Sequence, residues 1–334
     1  MLSLFRQNQS ALALLLAGYV LALRLPALLG WIDLEAPVSD GGGVLYTLLP
    51  EWLRTPGLWS AWVSALLVWA QAVAVNQVAD RNRLLNDRSW LPGVFYVLAA
   101  SCTADLQYLS PALVAASLTP VLFQLLTLLY NKKEVSGRMF DLGFWPAVGS
   151  LLYPSYFWLV LAVILSVPVW RSFSLRERIL LTLGVMVAFF LAFTAFFWFD
   201  KGGWFWDIQL AGWRSGWGFS FPRESGHFTS KMLLVALLLF ALLSIPAYYR
   251  KKLIQVQKLI STLLWFFLWA ILTFVANPAW VGAHWALAVF SIGNFLAVRM
   301  QDFRNFALVE LVHALLVMLL YASLFFPYIQ MLVT

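Results

Sequence analysis

The stretch WIDLEAPVSDGGG, residues 31–43, places three carboxylates, Asp33, Glu35 and Asp40, directly before three consecutive glycines. A positioned carboxylate can accept a proton from a reacting group, and glycine lets the backbone come close to a ligand. The same composition is also typical of a solvated loop on the side of a membrane that disfavours basic residues. The sequence therefore marks this stretch as a candidate catalytic loop, with a plain solvated loop as the alternative.

Four ionisable residues lie inside apolar runs, where a charge is costly and normally faces a partner or a cavity. Arg24, in LALRLPALL, can reach towards the membrane surface or meet the carboxylates that follow it. Glu310 and His313 are three residues apart in FALVELVHALL and so share one helical face. Together with His284 they are predicted to form a buried relay, and a single internal hydrogen-bonded pair is the alternative.

A second polar cluster lies in residues 200–230, DKGGWFWDIQLAGWRSGWGFSFPRESGHFTS. Connections of this length without regular structure are usually functional or disordered, and this one is too aromatic for disorder. We expect an ordered cap packed by its own aromatic residues, and an aromatic belt on the lipid headgroups is the alternative. The tryptophans are Trp204, Trp206, Trp213 and Trp217, and the ionisable residues are Asp200, Asp207, Arg214, Arg223, Glu224 and His227.

The elements that must position these residues are membrane helices. Hydrophobic residues make up 62% of the 334 residues, and the mean hydropathy is +0.82. Apolar runs of about 18–22 residues recur along the chain, each long enough to cross a bilayer as a helix. A β-barrel would show short alternating segments instead. The predicted fold class is therefore an all-α, polytopic transmembrane helical bundle in which residues 1–334 form one domain.

Apolar length and charge divide the chain into about eleven predicted spans, of which the fifth and sixth are short. Between the first two spans, residues 31–57 form a predicted loop, and Val44 to Trp52 suit a short helix lying in the membrane plane. The spans are 10–30, 58–79, 90–106, 111–130, 139–152, 154–170, 177–199, 231–249, 258–277, 279–298 and 305–328.

The basic residues predict the orientation, because short cytoplasmic loops are enriched in lysine and arginine. With the N-terminus inside, about three quarters of the 22 basic residues fall on the cytoplasmic side, and an odd number of spans places the C-terminus outside. The net charge of +7 then reflects topology and attraction to anionic lipid, so nucleic acid is not an expected partner. The single cysteine, Cys102, and the lack of Cys/His clusters predict neither an intrachain disulfide nor a metal site.

Several motifs resemble those of a bacterial family of multi-spanning inner-membrane proteins, a family label that carries no activity. They are LFRQNQS with the later LRLP, NQVADRNRLL, LQYLSPALVA, and FDLGFWPAVGSLLYPSYFW with the later RSFSLRE. The organisation is also similar, more distantly, to the GT-C glycosyltransferases, which take a sugar from a polyprenyl-phosphate donor. The similarity lies in the arginine closing the first span, the acidic first outer loop and the odd number of spans.

The GT-C resemblance implies that a first-loop carboxylate is the catalytic base. This chain has Asp33-Leu34-Glu35 and a separate Asp40 where the GT-C pattern often has adjacent acidic residues, so all three stay candidates. Asp40 is favoured because its glycine neighbours permit close approach, whereas Asp33 can sit beside Arg24. The resemblance also implies cations opposite the phosphate leaving group. The candidate phosphate- or substrate-binding residues are Arg24, Arg214, Arg223 and His227.

Three functional classes are compatible with these features. One is an envelope transferase of the bacterial inner membrane that uses a polyprenyl-phosphate-linked sugar as its donor and needs no other cofactor. Another is a non-enzymatic membrane subunit or assembly factor whose outer loops bind an envelope protein, and a transporter is the third. Membrane lipid is an expected partner in every case.

Overall fold

The computed structural model describes residues 2–6, 11–31, 41–132, 134–172, 174–214, 237, 254–276, 281–303 and 305–333. All regular structure in these ranges is helical, in agreement with the predicted fold class. Short 3-10 helices lie at Tyr46–Leu48, Ala104–Leu106 and Pro154–Phe157. The α-helices are α1 (Leu2–Phe5), α2 (Leu12–Leu28), α3 (Glu51–Arg54), α4 (Leu58–Arg81), α5 (Leu91–Ala100), α6 (Pro111–Ala116), α7 (Thr119–Thr127), α8 (Ser136–Leu152), α9 (Trp158–Trp170), α10 (Leu175–Trp198), α11 (Gly202–Arg214), α12 (Ile254–Ala276), α13 (Val281–Asp302) and α14 (Phe306–Val333).

Ten of the eleven predicted spans overlap with described helices, and the eighth, 231–249, lies outside the described residues except for Leu237. Among the described residues, five helices are long and apolar enough to cross a membrane, and four helical stretches are apolar but shorter. The chain is thus a multi-pass membrane protein with an all-helical bundle. The number of spans and their orientation stay predictions. The five long helices are Leu58–Arg81, Leu175–Trp198, Ile254–Thr273, Gly282–Asp302 and Phe306–Phe325.

The connections between the long helices gather at two ends of the bundle. We call one the basic end, made of residues 82–90, 128–132 and 171–172. A hydrogen bond from Arg171 Nη1 to the carbonyl of Lys132, at 2.8 Å, joins two of its parts. We call the other the opposite end, made of residues 41–57, 101–110, 153–157 and 199–201.

The helix α13 is the centre of the bundle. Its apolar window is 94% buried inside the protein, compared with 22% for α10. It packs against α5 and α12, and its interior polar groups are small or hydrogen-bonded, as in Asn294, whose Nδ2 donates to the Phe290 carbonyl at 2.8 Å. The outer helix α10 instead exposes large apolar side chains such as Phe190, which suits contact with lipid.

The predicted span 90–106 is shorter in the structure than in the sequence analysis, because α5 ends at Ala100. The following SCTADLQYLS run is polar, and it forms an irregular connection with one 3-10 turn before α6 begins at Pro111. Non-helical backbone at this depth needs partners inside the protein, since lipid offers none. Those partners belong to the site described next.

Candidate functional site

The glycines after Asp40 attach the first loop, residues 31–57, to the end of α8. The Gly43 N–H donates to the Leu152 carbonyl and the Leu45 N–H to the Leu151 carbonyl, both at 2.9 Å. These bonds satisfy carbonyls that the last helical turn leaves without intrahelical partners. A Cβ on Gly43 would overlap the Leu151 carbonyl. The close approach that the sequence suggested is therefore, at Gly43, an approach to protein backbone.

The three predicted catalytic carboxylates, Asp33, Glu35 and Asp40, lie outside the described residues. The chain is described on both sides of them. Before them, the Trp31 ring lies 6.1 Å from the Phe325 ring, centroid to centroid. After them, the buried Gly41 begins the part of the loop that is held on α8. Their role as the base stays a prediction.

Tyr46 joins the first loop to a second connection at the opposite end. Its hydroxyl donates to the Leu109 carbonyl at 2.9 Å, and the Leu109 N–H donates to Ser60 Oγ at 3.0 Å. Burial raises the pKa of Tyr46 to about 12, although Arg54 opposes the shift, so the hydroxyl keeps its proton and acts as a donor. The first loop, the 101–110 connection and α4 are thus fixed to one another. The sequence predicted a short helix at residues 44–52 lying in the membrane plane; the described helices here are Tyr46–Leu48 and α3, and the in-plane placement stays a prediction.

Arg24 is fully buried and holds the 101–110 connection in place. Its Nη2 donates to the carbonyl of Leu106 at 2.7 Å and its Nη1 to that of Gln107 at 3.2 Å. A further bond joins Nη1 to Ser64 Oγ, and Nη2 lies 3.4 Å from the Ala100 carbonyl. The guanidinium thereby supplies the partners that the irregular backbone needs. These bonds make Arg24 a positioning residue for the connection, and its predicted contact with phosphate stays a prediction.

The interior beside Arg24 contains polar atoms that have no partner among the described residues. They are Arg24 Nε, Ser101 Oγ, Thr103 Oγ1 and Gln107 Oε1, and all are buried. Buried polar groups are normally satisfied, so this concentration marks a polar interior at the opposite end. In the sequence, the polar SCTADLQYLS run inside an apolar stretch is the signal that points to this polar interior.

Asp105, Tyr153 and His284 form a cluster that the sequence does not reveal as a group. The Tyr153 hydroxyl and His284 Nδ1 are 2.7 Å apart, and both side chains are fully buried. The Asp105 carboxylate packs against Gly282 in the first turn of α13 and interacts electrostatically with Tyr153. Tyr153 directly follows Leu152, the residue to which Gly43 is bonded. An acid, a phenol and an imidazole therefore lie next to the attachment point of the first loop.

The predicted relay is divided between two tyrosines in the structure. His284 pairs with Tyr153, whereas His313 Nε2 lies 2.8 Å from the Tyr19 hydroxyl and its ring contacts Phe95. Glu310 interacts electrostatically with His313, as expected for residues three apart on a helix. The relay of all three groups stays a prediction.

The predicted 200–230 cap begins with the helix α11, which packs against α10 and the Pro154–Phe157 turn. Phe205 is fully buried, and its ring centroid lies 5.6 Å from that of Phe193. Gln209 Nε2 donates to the Ser150 carbonyl at 2.7 Å, which fixes α11 to α8. The remaining residues of the prediction lie outside the described side chains. They are Trp213, Arg214, Trp217, Arg223, Glu224 and His227.

No family model and no curated protein matches this chain. Among solved structures, the fold is similar to the crystal structure of ArnT from Cupriavidus metallidurans bound to undecaprenyl phosphate, with a TM-score of 0.50 and 12% sequence identity. The likeness covers 91% of this chain and 62% of the ArnT chain, so this chain spans less than two thirds of that protein's length. At this identity the likeness concerns the fold alone, and this chain is a polytopic helical bundle similar in fold to that structure.

Proposed function

We propose that this protein is a GT-C-like transferase of the bacterial inner membrane, using a polyprenyl-phosphate-linked sugar at the opposite end of the bundle. The observation that carries the proposal is the fold likeness to ArnT, a protein crystallised with undecaprenyl phosphate, over 91% of this chain. Fold alone does not confer activity, so the proposal also depends on the residues at the opposite end.

The first loop supplies the base in this proposal. Asp40 immediately precedes in the sequence three buried glycines, of which Gly43 is bonded to the end of α8 next to Tyr153. A carboxylate that is aligned with an acceptor hydroxyl can accept its proton during transfer. Asp33 and Glu35 lie further from Gly43 in the sequence and are the second candidates.

Cations for the phosphate leaving group are assigned to the segment that follows α10. Arg214 is the last residue of α11, and Arg223 and His227 follow it in the chain. Because α11 is fixed to α8 through Gln209 and Ser150, this segment starts at the same end as the first loop. Guanidinium groups bind phosphate oxygens in bidentate fashion, which suits a leaving group of this kind.

A groove on the lipid-facing side gives the polyprenyl chain a place to lie. It has a volume of about 330 Å³, lies between α2 and α4, and is lined by apolar side chains including Leu21, Trp59, Trp62 and Trp69. Trp59 and Trp62 are 66% and 47% exposed, so the groove opens towards the bilayer. A long hydrocarbon chain is stabilised in such a groove by close van der Waals packing against the apolar side chains.

The test compares envelope glycans in a deletion strain complemented with wild type, Asp40→Asn, Asp33→Asn, Glu35→Gln or Asp105→Asn. We expect Asp40→Asn to keep membrane abundance normal while reducing the rate of transfer by about 10²- to 10⁴-fold, because the proton acceptor is lost. Glu51→Gln is the matched control, since Glu51 is an exposed carboxylate of the same loop.

Two results would contradict the enzyme proposal. One is an unchanged glycan profile in the deletion strain, and the other is full complementation by all the carboxylate variants. In either case the non-enzymatic subunit becomes the better interpretation, and crosslinking from first-loop positions is the measurement that would identify its partner.

A further inference from the structure

A polar cavity lies at the basic end, between the first turns of α8 and α10. It has a volume of about 690 Å³. The proposed transferase site lies at the opposite end of the same helices and makes no use of this cavity. Its lining consists of Glu134, Val135, Ser136, Gly137, Arg138, Ser174, Arg176 and Glu177.

Two helices begin side by side at this cavity because glycines let their backbones touch. A Cβ on Gly143 of α8 would overlap the Leu181 carbonyl of α10, and a Cβ on Gly184 would overlap the Phe140 carbonyl. Neither helix has a side-chain cap at its first turn, where Val135 and Ser174 occupy the capping positions. The uncapped N–H groups and both helix dipoles therefore add to the positive potential.

The charged side chains leave the cavity cationic. Glu177 pairs with Arg171 at 2.9 Å, so its charge is already neutralised. Among the described residues that line the cavity, Glu134 is then the one further carboxylate beside Arg138 and Arg176. Arg138 is held in position because its Nη1 donates to the Leu128 carbonyl at 2.5 Å. Two guanidinium groups and two serine hydroxyls suit the oxygens of a phosphate.

Below the cavity, α10 presents an apolar stripe to the outside of the bundle. Leu175, Ile179 and Leu183 are 66%, 59% and 45% exposed, and their spacing of four residues places them on one face of the helix. A ligand with a phosphate in the cavity and hydrocarbon chains along this stripe would pair with the arginines and cover the exposed apolar side chains. Basic pockets between membrane helices on the cytoplasmic side bind anionic lipid headgroups in this way.

We propose that the cavity between α8 and α10 binds the phosphate headgroup of an anionic membrane lipid, with its acyl chains along the stripe formed by Leu175, Ile179 and Leu183. The site is a lipid-binding site in addition to the proposed donor site. It does not depend on the transferase proposal, because no carboxylate of the first loop takes part.

The test uses the purified full-length protein and measures binding of phosphatidylglycerol and phosphatidylcholine by native mass spectrometry and by thermal stabilisation in detergent. We expect phosphatidylglycerol to bind preferentially. Replacing both Arg138 and Arg176 by glutamine should weaken its binding about tenfold or more, since charge-assisted hydrogen bonds are lost. The control replaces Arg81 and Arg83, two exposed arginines near the basic end, and should leave binding nearly unchanged.

A second variant keeps the proposal testable if the double replacement fails to fold. Glu134→Gln removes the opposing carboxylate and should tighten phosphatidylglycerol binding severalfold. Equal loss of binding in the Arg81/Arg83 control would indicate general surface charge and overturn the site. Equal stabilisation by inorganic phosphate would indicate a free anion, and equal binding of phosphatidylcholine would indicate the apolar stripe alone; either result overturns the proposal.

Discussion

At the scale of single residues, Arg24 shows how one buried cation permits a break in a membrane helix. The helix α5 stops at Ala100, yet the backbone that follows is buried. Arg24 offers donors to carbonyls of this connection and to Ser64 Oγ. A lipid-exposed loop at this depth would leave those carbonyls without partners, at a cost of several kcal/mol each.

Replacing Arg24 with methionine should destabilise the protein while sparing its insertion. The variant keeps the apolar stem but leaves several buried acceptors unsatisfied, each of which costs about 1–3 kcal/mol. The measurement is thermal unfolding in detergent, with membrane abundance as the check on insertion. Arg81→Met, at an exposed position, is the control and should unfold like the wild type. An unchanged unfolding temperature for Arg24→Met would contradict the role of Arg24 in holding the 101–110 connection.

Gly43→Ala should detach the first loop from α8. The added Cβ would overlap the Leu151 carbonyl, so the two hydrogen bonds to the end of α8 cannot form together with it. We expect faster proteolysis within residues 41–50 and a loss of transferase function if the enzyme proposal holds. Gly57→Ala is the matched control, because nothing lies within 4 Å of a Cβ at that position. Equal protease resistance in both variants would show that the anchor is dispensable.

At the scale of elements, glycine determines how α8 and α10 associate. Gly143 and Gly184 each face a backbone carbonyl of the other helix, so the axes come closer than larger side chains would allow. Small residues at such contacts are the usual means by which membrane helices pack, since there is no hydrophobic driving force between them in lipid. This contact also places the two helix starts beside the cavity at the basic end.

Gly184→Ala should cost about 1–3 kcal/mol, the typical penalty for an added methyl group in a well-packed contact. Thermal unfolding in detergent measures it. Gly137→Ala is the control within α8, where a Cβ would meet nothing within 4 Å. If both variants unfold at the same temperature, α8 and α10 are not in the close contact described here. Gly184→Ala should also weaken phosphatidylglycerol binding, because it separates the walls of the cavity.

The helix α11 is the described part of the predicted cap. Aromatic contacts such as Phe193 with Phe205, at 5.6 Å between ring centroids, and the Gln209 bond to Ser150 hold it on the bundle. We expect residues 202–210 to resist protease added from the side of the opposite end. Phe205→Ala should make them susceptible, since deletion of a buried aromatic side chain typically costs about 3–5 kcal/mol. If the wild type is cleaved within residues 202–210 as fast as the Phe205→Ala variant, the cap is not ordered.

At the scale of the whole molecule, the distribution of basic residues predicts a single orientation. Reporter fusions after Asp87 and Lys132, both at the basic end, should report the cytoplasm. Fusions after Thr55 and Lys201, at the opposite end, should report the other side, because lysine and arginine bias short loops towards the cytoplasm. A result inverted at any one of these four positions would contradict the predicted topology.

The sequence by itself determined the class of the protein, the helical fold and the approximate bounds of most helices. These features depend on local properties, namely apolar length against bilayer thickness and charge at the helix ends. The same reasoning predicted one span over residues 90–106, whereas α5 ends at Ala100. Hydropathy does not reveal that the Arg24 side chain hydrogen-bonds to a backbone carbonyl 83 residues later in the chain.

Only the tertiary structure decided which polar residues meet. Arg24 reaches the 101–110 connection, Gly43 reaches the end of α8, and Tyr153 joins His284 across 131 residues of chain. Such pairings depend on which helices become neighbours, and in a bundle of similarly apolar helices the hydropathy pattern is nearly the same for many arrangements. Close packing and the need to satisfy buried polar groups select one arrangement, and these act between residues far apart in the sequence.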